Sequence, residues 1–402
     1  MTAETRRTAL AALPDCFCPA DGTRVPAGSP EWACPLCRGP LDLDFSPTPA
    51  PLTSLTGRVN SLWRYAECLP LPAPAISLGE GRTPLVELTG TVRAKLDFLM
   101  PTLSFKDRGA VMLAALAGHL APDRVIADSS GNAGTAVAAY CARAGLPCTV
   151  YVPAGTSPKK LEQIGAHGAR LEVVDGGRES AARAARAAAD TPGTFYASHV
   201  HNPYFLQGTK TYVHEVWEDL GGRLPDALVV PVGNGTLLLG AALAVRELHA
   251  AGLIAKAPAL YAVQAAAVAP LAEAWQAGAD DLLGESTEAV PQAVTRTAAS
   301  AAATAAATPA AATSAEGIAI PRPPRARQIL SAVREFGGGF LTVTDEQIAA
   351  AQLDLAARGL YVESTGVACW AAVRDGALDG RTAVVPLCGA GAKTGVAGGS
   401  GV

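Results

Sequence analysis

Apolar and polar positions follow two periods along most of this chain. Short, mainly apolar runs read as strands buried on both faces: Arg124–Ala127, Cys148–Pro153, Arg170–Val174, Leu228–Val232, Ala259–Val263 and Ala383–Leu387. Longer alanine-rich stretches lie between them, among them Ala110–Leu120, Ala136–Ala144 and Leu238–Leu248, and these predict helices. Ser180–Asp190 reads as a surface helix, with Arg183 and Arg186 three apart on one face. Strands alternating with helices predict an α/β fold: parallel-type sheets flanked by helices.

Two segments break the pattern. Ser46-Pro47-Thr48-Pro49-Ala50-Pro51 is a stiff, proline-rich linker. Residues 293–315 are rich in alanine, threonine and serine and almost uncharged. Their threonines and Pro309 oppose a helix, so the stretch reads as a disordered low-complexity insertion.

With 402 residues the chain has room for two or three domains sharing a substantial core. A net charge of −4 gives no reason to expect a nucleic-acid partner. No signal-peptide pattern is visible, and the Ala/Thr-rich runs are too weakly apolar for a membrane span. The expectation is a cytoplasmic protein with no membrane partner.

The nine cysteines then fit reduced thiols or metal ligands better than disulfides. Cys34-Pro35-Leu36-Cys37-Arg38-Gly39, followed by Leu41-Asp42-Leu43, has the form of a zinc knuckle and its strand. The pair Cys16-Phe17-Cys18 is spaced by one residue instead of two. Cys16, Cys18, Cys34 and Cys37 are the expected ligands of a structural Zn²⁺, the alternative being metal-free thiols. Such a site is closed, so it predicts a folding role and no catalysis.

Four runs carry chemistry. In Leu103-Ser104-Phe105-Lys106-Asp107-Arg108-Gly109 a lysine opens a helix, where the positive dipole end eases its deprotonation. A neutral lysine amine can form a Schiff base with an aldehyde cofactor, although a solvated helix-capping lysine has the same sequence. Asp128-Ser129-Ser130-Gly131-Asn132-Ala133-Gly134-Thr135 joins a strand to a helix, a geometry that binds anions. Val232-Gly233-Asn234-Gly235-Thr236-Leu237 repeats it, with glycines that let backbone approach a phosphate. Near the C-terminus, Val385-Pro386-Leu387-Cys388-Gly389 delivers a cysteine to a glycine turn.

Taken in order, these runs resemble the threonine synthase family of pyridoxal-phosphate (PLP) enzymes, which has the tryptophan-synthase-β-like fold. Leu78–Leu85, Gly208–Thr211, Glu316–Ile320 and Gly359–Thr365 resemble it as well, so the likeness runs from about Leu55 to Lys393. The resemblance implies two lobes with the cofactor in the cleft between them. The expected divisions are a zinc ribbon at 1–48, a large domain at 49–110 and 217–402, and a small domain at 111–216. Lys106 would carry the Schiff base. Asn132 would bond the cofactor's phenolic oxygen, Gly233, Asn234, Gly235, Thr236 and Leu237 its phosphate, and Cys388 would stand beside its pyridine nitrogen. Thr83, Ser130, Gly131, Ala133 and Gly134 would bind a small amino-acid substrate. A homodimer is implied by the fold alone.

The implied reaction is O-phosphohomoserine plus water to L-threonine and phosphate. That needs a second phosphate site, to which bacterial members contribute an arginine in an Asn-Pro-Tyr-Arg run. Here the run is Asn202-Pro203-Tyr204-Phe205. Lys159, Lys160, Lys210, Arg82 and Arg108 are candidate substitutes. An ammonia-lyase acting on L-threonine or L-serine, or a β-replacement synthase, remains the alternative. His199 and His201 fit an interlobe hydrogen-bonding role or a catalytic one.

Overall fold

A computed structural model describes residues 13–72, 76–283, 313–378 and 380–393. The chain starts with three two-residue antiparallel strands, β1 (Cys16–Phe17), β2 (Arg24–Val25) and β3 (Asp42–Leu43), in the order β2-β1-β3. Strands β4 (Leu85–Glu87) and β5 (Val92–Lys95) follow. Next come β6 (Arg124–Ala127), β7 (Cys148–Pro153), β8 (Arg170–Val174) and β9 (Thr194–Tyr196), which form a parallel sheet in the order β8-β7-β6-β9. Strands β10 (Ala227–Pro231), β11 (Ala259–Ala265), β12 (Gly339–Val343) and β13 (Ala383–Pro386) join β4 and β5 in a second sheet, ordered β12-β11-β10-β13-β5-β4. Only the β4–β5 pairing is antiparallel in that sheet.

The apolar runs explain the sheets. Every residue of β10 and of β13 is buried, because helices cover both faces. Helix Lys106–Leu120 is buried from Asp107 to Ala117. Gly109 and the alanines let it pack closely on helices Asn132–Ala144 and Tyr204–Thr209. Helix Arg178–Ala189 lies at the surface and buries only Ala181, Ala182, Ala185 and Ala189. Two of the three large cores part company within one helix: Phe205 packs in the core of the smaller sheet, Leu206 in the core on one face of the larger.

A buried ion cluster joins the two halves. Arg108 donates to Asp97 at 2.9 and 2.7 Å and to Glu215 at 2.6 and 3.0 Å, and Lys95 sits 3.0 Å from Glu215. Arg108, Asp97, Glu215 and Lys95 are all fully buried. The paired cations hold the Glu215 carboxyl well below the usual range in spite of burial.

The expected insertion at 293–315 lies outside the described residues up to 312. The structure describes only its last three residues, 313–315. Thr313 and Ser314 hydroxyls both donate to Asp345 Oδ1 at 2.8 Å, and Ala315 is buried.

Candidate active site

The parallel strands of both sheets end at a common cleft, which holds a cavity of about 390 Å³. Strand C-termini and helix N-termini meet there, which concentrates backbone N–H groups and positive dipole ends. Lys106 forms part of its wall. The segment ahead of it is laced to the loop after β13. Phe105 N–H donates to Cys388 O at 2.9 Å, and Ser104 bridges to Gly389. The Lys106 amine lies 4.6 Å from the Phe105 ring centre and 5.6 Å from that of Phe205. Burial lowers its pKa from 10.5 to about 8, with the Arg178 charge helping and Cys388 and Glu363 opposing.

Asn132, the first residue of helix Asn132–Ala144, lies at the same cavity. Its side-chain amide donates to both oxygens of Glu363, at 3.0 Å each. Glu363 N–H donates to Gly389 O at 2.9 Å, and a Cβ at Gly389 would run into the Glu363 carboxylate. Burial pushes the Glu363 carboxyl up, while Asn132, Lys393 and Lys106 hold it down.

The loop after β10 is a cradle that only glycine can form. Gly235 is left-handed (φ 76°), and a Cβ there would collide with Ile329. A Cβ at Gly233 would come within 2.8 Å of Gly317 O. Helix Thr236–Ala250 begins immediately afterwards. Gly233, Asn234, Gly235, Thr236 and Leu237 all line the cavity. A glycine loop opening a helix suits a phosphate, and a depressed lysine amine suits its aldehyde, so these residues fit PLP.

Gly131 and Ala133 line the cavity as well. Ser130 and Gly134 are not among its lining residues. Gly134 is there because a Cβ would strike Ser129 O. Cys388 is fully buried behind the Lys106 segment, and burial raises its thiol pKa strongly, so it stays neutral. Thr83 is not among the residues that line the cavity. Its hydroxyl donates to Asp97 at 2.7 Å, in the ion cluster.

Most of the substitute cations are also committed elsewhere. Arg108 belongs to that cluster, Lys210 pairs with Glu247 at 2.7 Å, and Arg82 with Asp219 at 3.0 Å. Lys159 donates to Ala392 O at 2.8 Å. Lys160 does line the cavity but pairs with Glu316 at 2.5 Å. Phe205 is fully buried with its ring against Gly109, so it fills its place with apolar surface.

Three cavity residues escaped sequence reasoning as ligands: Glu363, Arg178 and, by role, His199. His199 is held neutral, its pKa driven well down by burial and then by Lys106 and Arg178. Arg178, the first residue of its helix, has no ion-pair partner among the described residues. Of the four cysteines expected to bind zinc, Cys18, Cys34 and Cys37 converge with Asp21, and Cys16 lies outside that group.

The chain is similar to several known proteins. The family profile described as "Pyridoxal-phosphate dependent enzyme" matches residues 76–389. A threonine synthase of Methanosarcina acetivorans is 32% identical over 85% of this chain and 82% of its own length. One from Mycobacterium leprae is 34% identical over 79% and 83%. Among solved structures, a threonine deaminase from "T.th." superposes with a TM-score of 0.59 at 26% identity, covering 77% of this chain and 92% of that one. Maize serine racemase, at 20% identity and a TM-score of 0.60, shares the fold; the match covers 77% of this chain and 88% of that one.

Proposed function

Because this chain belongs to the threonine synthase family of pyridoxal-phosphate dependent enzymes, we propose that it converts O-phosphohomoserine and water into L-threonine and phosphate. When bound, PLP draws electron density from the substrate's α-carbon. Lys106 would hold its aldehyde, and Gly233 to Leu237 its phosphate. With its pKa near 8, Lys106 is available as a neutral amine to move protons at Cα and Cβ. The neutral Cys388 thiol is a weak partner for a pyridine nitrogen, which suits elimination and replacement more than transamination. Gly131 and Ala133, at a helix N-terminus, would receive the substrate carboxylate.

The observation that carries the phosphorylated substrate is Arg178. It is a cavity cation with no ion-pair partner among the described residues, and its charge is felt at Lys106 and His199. A dianion at the far end of the substrate would meet it, doing the work that Phe205 cannot do.

Phe205 and the likeness to a threonine deaminase favour one second reading, ammonia loss from L-threonine. Holoenzyme given O-phosphohomoserine should release phosphate and L-threonine in equal amounts. Release of neither, with 2-oxobutyrate formed from L-threonine, would replace the first reading by the second. The same reading includes a homodimer acting in the cytoplasm; light scattering of the purified chain checks its mass.

A further inference from the structure

We infer that the N-terminal three-stranded unit binds one Zn²⁺ through Cys18, Asp21, Cys34 and Cys37. Two turns of this unit repeat one another. Cys18-Pro19-Ala20-Asp21 leads into Gly22, and Cys34-Pro35-Leu36-Cys37 leads into Arg38. Cys18 N–H donates to Thr23 O and Cys34 N–H to Gly39 O, each at 2.9 Å. Gly22 N–H returns to Cys18 O and Arg38 N–H to Cys34 O, again at 2.9 Å. Gly22 and Arg38 are both left-handed, with φ of 76° and 57°. Asp21 thus occupies in the first turn the place that Cys37 occupies in the second.

The four side chains bring their ligand atoms within 4.8 Å of one another. Cys18 Sγ lies 3.5 Å from Cys37 Sγ, and Cys34 Sγ lies 3.4 Å from Asp21 Oδ2. In a zinc tetrahedron with Zn–S of about 2.3 Å and Zn–O of about 2.1 Å, the corresponding edges are about 3.8 and about 3.6 Å. These two pairs therefore need only small shifts. Backbone donors already face the sulfurs: Cys37 N–H to Cys34 Sγ at 3.5 Å and Gly39 N–H to Cys37 Sγ at 3.4 Å. Thr23 N–H donates to Asp21 Oδ1 at 2.9 Å, which orients the carboxylate and leaves Oδ2 toward the sulfurs. Three thiolates and one carboxylate are a zinc-type donor set, and the set leaves no open position. Cys16, paired in β1 with Val25 and Leu43, packs beside the group as a small apolar side chain.

Apart from the ligands, the unit's own core holds little more than Val25 and Leu41, too little apolar burial to hold three short strands. The unit is nevertheless docked on the cleft. The buried Arg325 guanidinium donates to Leu41 O, Asp42 Oδ1 and Val200 O, each at 2.8 Å, and Val200 lines the cavity.

The test uses full-length holoenzyme purified without chelator, with metal content by plasma mass spectrometry and exchange to cobalt(II). One zinc per chain is expected in the parent and in Cys16→Ser. After the same chelator challenge, Asp21→Ala should keep about a tenth or less of the parent's metal. In Asp21→Cys the cobalt–thiolate charge-transfer band should grow by about a third, from three thiolates to four. This last variant needs no loss of fold to give its answer. A folded parent without metal would overturn the assignment. So would loss of metal in Cys16→Ser with retention in Asp21→Ala, or an unchanged charge-transfer band in Asp21→Cys.

Discussion

Asn132 and Glu363 stand 231 positions apart in the chain, yet the amide of one donates to both oxygens of the other at 3.0 Å. The pair ties the helix after β6 to the helix that follows Glu363. It also puts a carboxyl where it acts on the Lys106 amine. Glu363→Gln removes an influence that raises the lysine pKa, so that pKa should fall below its parent value of about 8. The pH dependence of PLP uptake by apoprotein measures the shift. An unchanged profile would detach Glu363 from Lys106.

Lys106 itself sets the parent profile. Below pH 8 the amine is mostly protonated and unreactive; above it the neutral form dominates. At pH 8 the neutral fraction is roughly a hundredfold larger than for a lysine with the ordinary value. The same shift bears on stability. The unfolded chain holds this proton between pH 8 and 10.5 while the folded chain has released it, so this group's contribution to stability rises with pH across that window. Borohydride reduction and peptide mapping should find the pyridoxyl group on Lys106, and on no residue of Lys106→Ala.

Arg178→Ala should raise KM for O-phosphohomoserine by about 10- to 100-fold. Any side activity on L-threonine, which has no phosphate, should change much less. Parallel steady-state kinetics with both substrates give the comparison, and equal losses on both would place Arg178 in general structure.

Gly235→Ala should weaken PLP binding at least about tenfold, because the added methyl group meets Ile329 on a left-handed backbone. Equilibrium titration of apoprotein with PLP reads this directly.

Arg108→Ala leaves Asp97 buried without its cation partner and Glu215 with Lys95 alone. A loss of about 3–5 kcal/mol is expected, measured by denaturant unfolding of the apoprotein.

Much of this protein is decided by short stretches of sequence. The loops after β6 and β10 each run from a strand through a glycine turn into a helix start, so their residues and their anion-binding geometry come from neighbours along the chain. That is why the runs carrying Asn132 and Gly233–Leu237 stand out in the sequence, and why β6, β7 and β8 fall on their predicted runs. The repeat of Cys18-Pro19-Ala20-Asp21 in Cys34-Pro35-Leu36-Cys37 was equally local, but a search for cysteines alone passes over the aspartate.

What the sequence could not decide are the pairings between distant elements. Thr83 lies in a stretch that resembles a substrate-binding run, yet Asp97 and the Arg108 cluster claim its hydroxyl once β4 and β5 are packed. Lys210 and Arg82 read as free cations until the fold supplies Glu247 and Asp219. No motif singles out Arg178, and only the meeting of the two sheets turns it toward a cavity shared with Lys106. A charge is worth what surrounds it: partners and burial set its pKa and its availability, and both come from residues far away in the chain.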